Sequence, residues 1–153
     1  MGRLQQELRQ GKPLSLEAEV FLNVLRTADV LVRRETDLLK SAGLTFSQYN
    51  VLRILRGAGA RGVKCADVAE RMVTRDPDVT RLLDRLEAQG LAARQRSAED
   101  RRVVTTRITD AGLQLLAGLD EPTDALLKKR LRHLSRGDLR TLNGLLEQAR
   151  AGD

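Results

Sequence analysis

Tryptophan is absent from this 153-residue chain, and Phe21, Phe46 and Tyr49 are its only aromatic residues. A protein that binds single-stranded nucleic acid needs aromatic faces on which bases stack. Three rings at core-facing or helix-start positions do not supply that surface. Cys65 and His133 are also single. One cysteine excludes an internal disulfide, and one cysteine with one histidine cannot complete a structural zinc site. His133 has no matched nucleophile or acid, so no catalytic constellation stands out, and neither an enzyme nor a cofactor is expected. No apolar run approaches the ~18 residues of a membrane-spanning helix, and the polar N-terminus lacks an apolar signal core. The expectation is a cytoplasmic protein with no membrane partner.

What the chain has is arginine, 22 against 5 lysines, within a net charge of +6. The pI near 10.2 favours a polyanionic partner. Nine arginines and six acids fall between Arg71 and Arg107, with no lysine among them. Guanidinium suits bidentate contact with phosphate or guanine. Two plainer readings stand beside that one: a general preference for arginine, and charged residues that protect a strand edge from aggregation.

Taken in order, residues 1–14 carry no sustained pattern and read as a flexible arm, with a helical turn around Leu4 to Leu8. Ser15 caps a long helix reaching Gly43, whose Phe21, Val24, Leu25, Ala28, Leu31, Val32 and Leu39 keep helical spacing. Thr45 and Gln48 form a capping box, and Leu44 with Tyr49 a matching hydrophobic staple. That helix is expected to end at Gly57, and a shorter one to run over residues 64–72. Residues 73–75 read as a tight turn. Thr109 caps a helix that continues, bent, through Pro122. Ser135, with Asp138 at the N3 position, caps the last helix, whose stripe is Leu139, Leu142, Leu145, Leu146 and Ala149.

Between these pieces lies the stretch on which a functional reading turns. Asp76 before Pro77 reads as an N-cap with proline at the first helical position. Val79, Leu82, Leu83 and Leu86 then form an apolar stripe, and Gly90 marks the stop. Asp78, Arg81, Asp84, Arg85 and Ala88 take the opposite side. They read either as a solvated ion-pair lattice or as a face for an anionic partner. Residues 91–96 and 102–108 read as two strands, with a polar tip at 97–101 where Arg94, Arg96, Arg101 and Arg102 crowd one hairpin. Helix, short turn, helix and two strands is the order of a winged helix-turn-helix. The fold class expected is mainly α, with a two-stranded β-wing and a helical dimerisation region.

The segments ADVAERM, DVTRLLDRLEAQGL, EDRR and ITDAG resemble the MarR family of winged-helix transcriptional regulators, over residues 16–149. The resemblance implies that residues 76–89 are the recognition helix, with Arg81 in a Thr-Arg-Leu motif. It also implies that Asp100 and Arg102 match the Asp-x-Arg signature of the wing, whose arginine enters the minor groove. It implies one domain over 15–153: residues 44–108 as the DNA-binding part, 15–43 and 109–150 as dimerisation helices. Double-stranded DNA with a near-palindromic operator and a second copy of the chain are the implied partners. The common family behaviour is repression, often released by a phenolic or other aromatic effector.

The residues expected at the DNA are Arg75, Asp78, Thr80, Arg81, Arg85, Arg96, Asp100, Arg101 and Arg102. The alternative from another class is an effector-independent winged helix used for protein contacts, where the arginines would meet acidic partners. Family members that sense peroxide carry a reactive cysteine in the first helix, where this chain has none. Cys65 is expected to be structural, as a small residue at a helix start.

Overall fold

Helix starts follow the local capping chemistry. Ser15, Thr45, Thr109 and Ser135 each accept a backbone N–H from three residues on. At Thr45 and Ser135 the N3 side chain, Gln48 or Asp138, returns the bond and completes a capping box. The computed structural model describes residues 3–9, 11–96, 100 and 102–151. Its elements are α1 (Arg3–Leu8), α2 (Leu16–Ser41), α3 (Phe46–Ala58), α4 (Cys65–Arg71), α5 (Val79–Ala88), β1 (Ala92–Arg96), β2 (Val104–Ile108), α6 (Asp110–Leu131) and α7 (Arg136–Arg150). The winged helix-turn-helix order expected from the sequence is the order observed.

α3 is the centre of the core. Its Tyr49, Val51, Leu52 and Leu55 pack with Leu39 and Leu44 beside α2, Val68 and Met72 beside α4, the α5 stripe, Ala92 of β1, and Leu116 and Leu119 of α6. Leu83 and Leu86 are almost fully enclosed. Truncating either to alanine would cost about 2–5 kcal/mol, enough to unseat α5. α6 runs unbroken through Pro122. The Thr123 hydroxyl donates to the Leu119 carbonyl at 2.8 Å beside that proline.

The boundaries differ from expectation in places. α3 continues to Ala58 and is followed by a 3₁₀ turn, Gly59–Arg61. The turn between α4 and α5 spans residues 72–78, not 73–75. Part of the stretch expected as a free arm is held: α1 lies on α2, Leu4 is buried, and Glu7 pairs with Arg26 at 3.0 Å.

β1 and β2 pair antiparallel, with Arg94 opposite Thr106 and Arg96 opposite Val104. A third piece of backbone, not anticipated, joins them. Val63 and Thr106 exchange both backbone hydrogen bonds at 2.8 Å. This seats the wing against the loop before α4. Gly62 (φ +67°) makes that approach possible, because a Cβ there would stand 2.9 Å from the Thr106 carbonyl oxygen.

Two ties fasten α3 to α6. The Tyr49 hydroxyl meets the buried Thr123 hydroxyl at 3.3 Å, and Arg56 grips Asp120 with both Nη atoms at 2.8 and 2.9 Å. The hydrogen bonds from Arg56 hold the Asp120 carboxyl below its ordinary value, against a smaller opposing effect of burial. A depressed carboxylate contributes stability above its ordinary pKa and loses it as pH falls through the depressed one. Asp120→Asn should therefore lower the urea midpoint at neutral pH, and the gap from the parent should close as pH falls below the ordinary aspartate range. The gap should be small, since both side chains are substantially exposed. A gap independent of pH would show that the ion pair is not its source.

Candidate nucleic-acid interface

α5 is amphipathic in the plainest way. Val79, Leu82, Leu83 and Leu86 are buried, while Thr80, Arg81, Asp84, Arg85 and Ala88 are exposed. Its start is a correction. Asp78 is the N-cap, accepting the Arg81 N–H at 3.1 Å, and the helix begins at Val79. Asp76 instead accepts the Asp78 N–H at 3.0 Å, forming a turn around Pro77. Both aspartates can cap, and it is the Asp78 carboxylate, three residues before the Arg81 N–H, that does so, while Asp76 and Pro77 form the turn before it. Upstream, Asn50 of α3 accepts the Val73 N–H at 2.8 Å and anchors the loop as it leaves α4.

The charged side chains divide into those already occupied and those that are not. Arg81 is 72% exposed, and its Nε lies 3.2 Å from the Asp78 carboxylate. The ion-pair lattice envisaged on this face is real for that pair. Among the described residues, Arg75 in the loop, Arg85 on α5, Arg96 at the end of β1 and Arg102 beside the wing tip are exposed and have no ion-pair partner. Thr80 is exposed and contacts the Cys65 sulfur, 3.6 Å from its hydroxyl. Asp100 accepts the Arg102 backbone N–H at 2.9 Å with its carboxylate and the Val103 N–H at 3.0 Å with its carbonyl. Its observed work is to shape the turn into β2. Arg101, with Ser97 to Glu99 of the expected tip, lies outside the described residues.

Arg94 lies on the same hairpin as Arg96 and Arg102, but its surroundings set it apart from them. It is bound by Asp84 and Glu87 of α5, with Nη1 at 2.8 Å from Glu87. The hydrogen bond that Arg94 donates to Asp84 raises its pKa further, which keeps the guanidinium charged. The legible signal was the pair of acids three apart on α5, which put two carboxylates one turn apart on the same flank.

A crystal structure of a MarR transcription factor from Planctomyces limnophilus is 39% identical to this chain. The match covers 90% of this chain and 99% of that one, with a TM-score of 0.67. The chain belongs to the MarR family. The family's own sequence model matches residues 42–103, from the end of α2 into the wing. The HTH-type transcriptional regulator YfiV of Bacillus subtilis is 37% identical over 92 residues, 60% of this chain and 56% of that protein. Across the first curated relatives the match spans between 46% and 65% of their length. BpsR of Bordetella bronchiseptica, whose DNA binding is regulated by 6-hydroxynicotinic acid, shares the fold at 22% identity. That match has a TM-score of 0.80 and covers 93% of this chain and all of that one. Among the described residues of this MarR chain no helix is long and apolar enough to cross a membrane. Among the described residues no cluster of His, Cys, Asp or Glu could hold a metal ion.

Proposed function

We propose that this MarR-family chain is a sequence-specific duplex-DNA-binding transcriptional regulator. Residues 44–108 read the DNA, and the flanking helices pair two copies. The observation that carries the reading is the outward face of α5, where Arg81 and Arg85 stand one turn apart on a helix whose other face is locked in the core. An α-helix fits the major groove, and arginine reads guanine there with two donors. Arg96 and Arg102 on the hairpin, and Arg75 in the loop, supply flanking phosphate or minor-groove contacts. Thr80 adds a polar contact on the same face. Asp78 and Asp100 act through the arginines they orient, and Arg101 completes the set on the wing.

Arg85→Ala and Arg81→Ala should each relax sequence preference, since a good bidentate base contact is worth about 1–3 kcal/mol of discrimination. Arg102→Ala should weaken binding to all duplexes and reduce the slope of log K against log salt by about 0.9, one phosphate contact. Binding of fragments selected from genomic DNA, titrated over salt, reads both. If all three variants bind like the parent, the interface is elsewhere. Loss of nothing on scrambling the selected site would favour the protein-contact alternative.

The pairing of two copies rests on what the chain leaves uncovered. α2 buries a single residue, Leu39, and α7 buries none. Leu16, Val20, Phe21, Val24 and Leu25 of α2 and Leu142 and Leu145 of α7 all stand exposed. Exposed apolar faces of this kind mark a protein interface. Two recognition helices then meet half-sites about 34–36 Å apart on a near-palindrome.

The regulator acts in the cytoplasm as a repressor, and an aromatic small molecule releases it by shifting the spacing of the two reading units. The Tyr49–Thr123 and Arg56–Asp120 ties would pass a movement of α6 to α3. Such an effector must lose affinity in the presence of operator by the same factor that it weakens DNA binding. Ligands from a screen that bind equally with and without saturating operator are not effectors, and finding only those would remove the effector from the proposal.

A further inference from the structure

Arg94 sits midway along β1, and both its backbone and its side chain are taken by α5. Its N–H donates to Glu87 Oε1 at 3.2 Å, Nη1 donates to Glu87 Oε2 at 2.8 Å, and Nη2 donates to Asp84 Oδ1. The opposite edge of the same hairpin is held by Val63 through Thr106, the register partner of Arg94. The wing is thus clamped from two sides at one level. Asp84 lies on α5 between Arg81 and Arg85, on the face proposed to enter the DNA. A carboxylate left unpaired there would repel the phosphates that the two arginines approach.

We propose that Arg94 is a positioning residue for DNA recognition and not a DNA ligand. Its planar fork locks the wing to the recognition helix so that their arginines reach adjacent grooves at a set separation. Its single positive charge also offsets part of the negative charge of Asp84 and Glu87. This rests on the DNA-binding reading above, and it goes beyond that reading by removing one arginine from the interface and assigning it the geometry of the others. The fork is the reason for arginine: it serves two carboxylates at once, which a lysine ammonium on a flexible stem does not.

Signs and substitution chemistry separate the two roles. Four variants, Arg94→Gln, Arg94→Lys, Asp84→Asn with Glu87→Gln, and all three neutralisations together, are compared with the parent. The readouts are binding to a duplex selected by the parent from genomic DNA, salt dependence, and backbone hydrogen exchange of the DNA-free protein. Removing two acids beside DNA would by simple charge tighten binding. The positioning role requires the opposite, a loss of about tenfold on the selected duplex, with the triple variant no weaker than Arg94→Gln alone, because coupled residues are not additive. Arg94→Lys, which keeps the charge but not the fork, should also lose affinity, and wing amides should exchange faster in every variant while α3 amides do not.

The proposal is overturned if the acid-neutral variant binds the selected duplex as tightly as the parent or more tightly. It is also overturned if Arg94→Lys keeps full affinity while Arg94→Gln weakens all duplexes and reduces the salt slope by about 0.9, the behaviour of a phosphate contact. Unchanged wing exchange overturns it without reference to DNA. A parent protein that selects no duplex would refute the DNA-binding reading instead, and the exchange arm would still decide whether Arg94 is the clamp.

Discussion

Leu145→Asp is expected to leave the fold intact and to reduce operator affinity by about 10²–10⁴-fold, the contribution of joining two binding modules in one dimer. Leu145 is 58% exposed in the single chain, on a helix that buries no residue. A carboxylate at that position therefore disturbs nothing within the protomer. Against a second copy it would be buried without a partner, a cost of several kcal/mol. Phe21→Asp, 61% exposed on α2, repeats the test on the other helix proposed for the subunit contact. Light scattering at micromolar concentration should show monomers for both variants, with circular dichroism unchanged. Dimers persisting in both would place the subunit contact away from α2 and α7.

The second large effect concerns Gly112, in the first turn of α6. A Cβ there would stand 2.4 Å from the Leu91 carbonyl oxygen and 2.6 Å from Ile108 Cγ1. That carbonyl cannot retreat easily, because it accepts the Thr109 N–H at 3.1 Å while the Thr109 hydroxyl donates to the Gly90 carbonyl at 2.7 Å. The root of the wing is tied into the start of α6 at this point. Gly112→Ala should therefore cost at least about 1–3 kcal/mol, the usual penalty of overpacking, and shift the hairpin that carries Arg96 and Arg102. DNA affinity should fall with it. Gly57, exposed within α3, has open space around its missing Cβ. Gly57→Ala should stabilise by about 0.5–1 kcal/mol, since the change removes only unfolded-chain freedom. Urea midpoints of the two variants moving in the same direction would show that the contact with Leu91 is not restrictive.

What lay in the sequence was whatever is decided within about one helical turn. Ser15, Thr45, Thr109 and Ser135 announce helix starts because a hydroxyl satisfies a backbone N–H three residues away wherever the chain later packs. The α5 stripe was legible because four apolar residues at helical spacing bury one face against any core. The two strands were legible as runs with turn residues between them. Where two local signals competed, as at Asp76 and Asp78, both aspartates could cap, and the helix starts two residues later than the first of them suggested.

Tertiary structure decided what depends on residues that only packing brings together. The Val63–Thr106 pairing joins a loop to the middle of a strand, and nothing in the spacing of either residue marks it. The apolar residues of α2 keep helical spacing whether they face the core or a second copy. Only the packed chain shows that Leu39 turns inward while Phe21 and Val24 do not. Arginine composition could not tell Arg94 from Arg96, two positions apart on the same strand. The difference comes from where β1 docks: Arg94 meets the acids of α5, and Arg96 lies beyond their reach. Ion pairs are short-range and the side chains that form them are long, so the fate of a guanidinium is settled by the distance between elements.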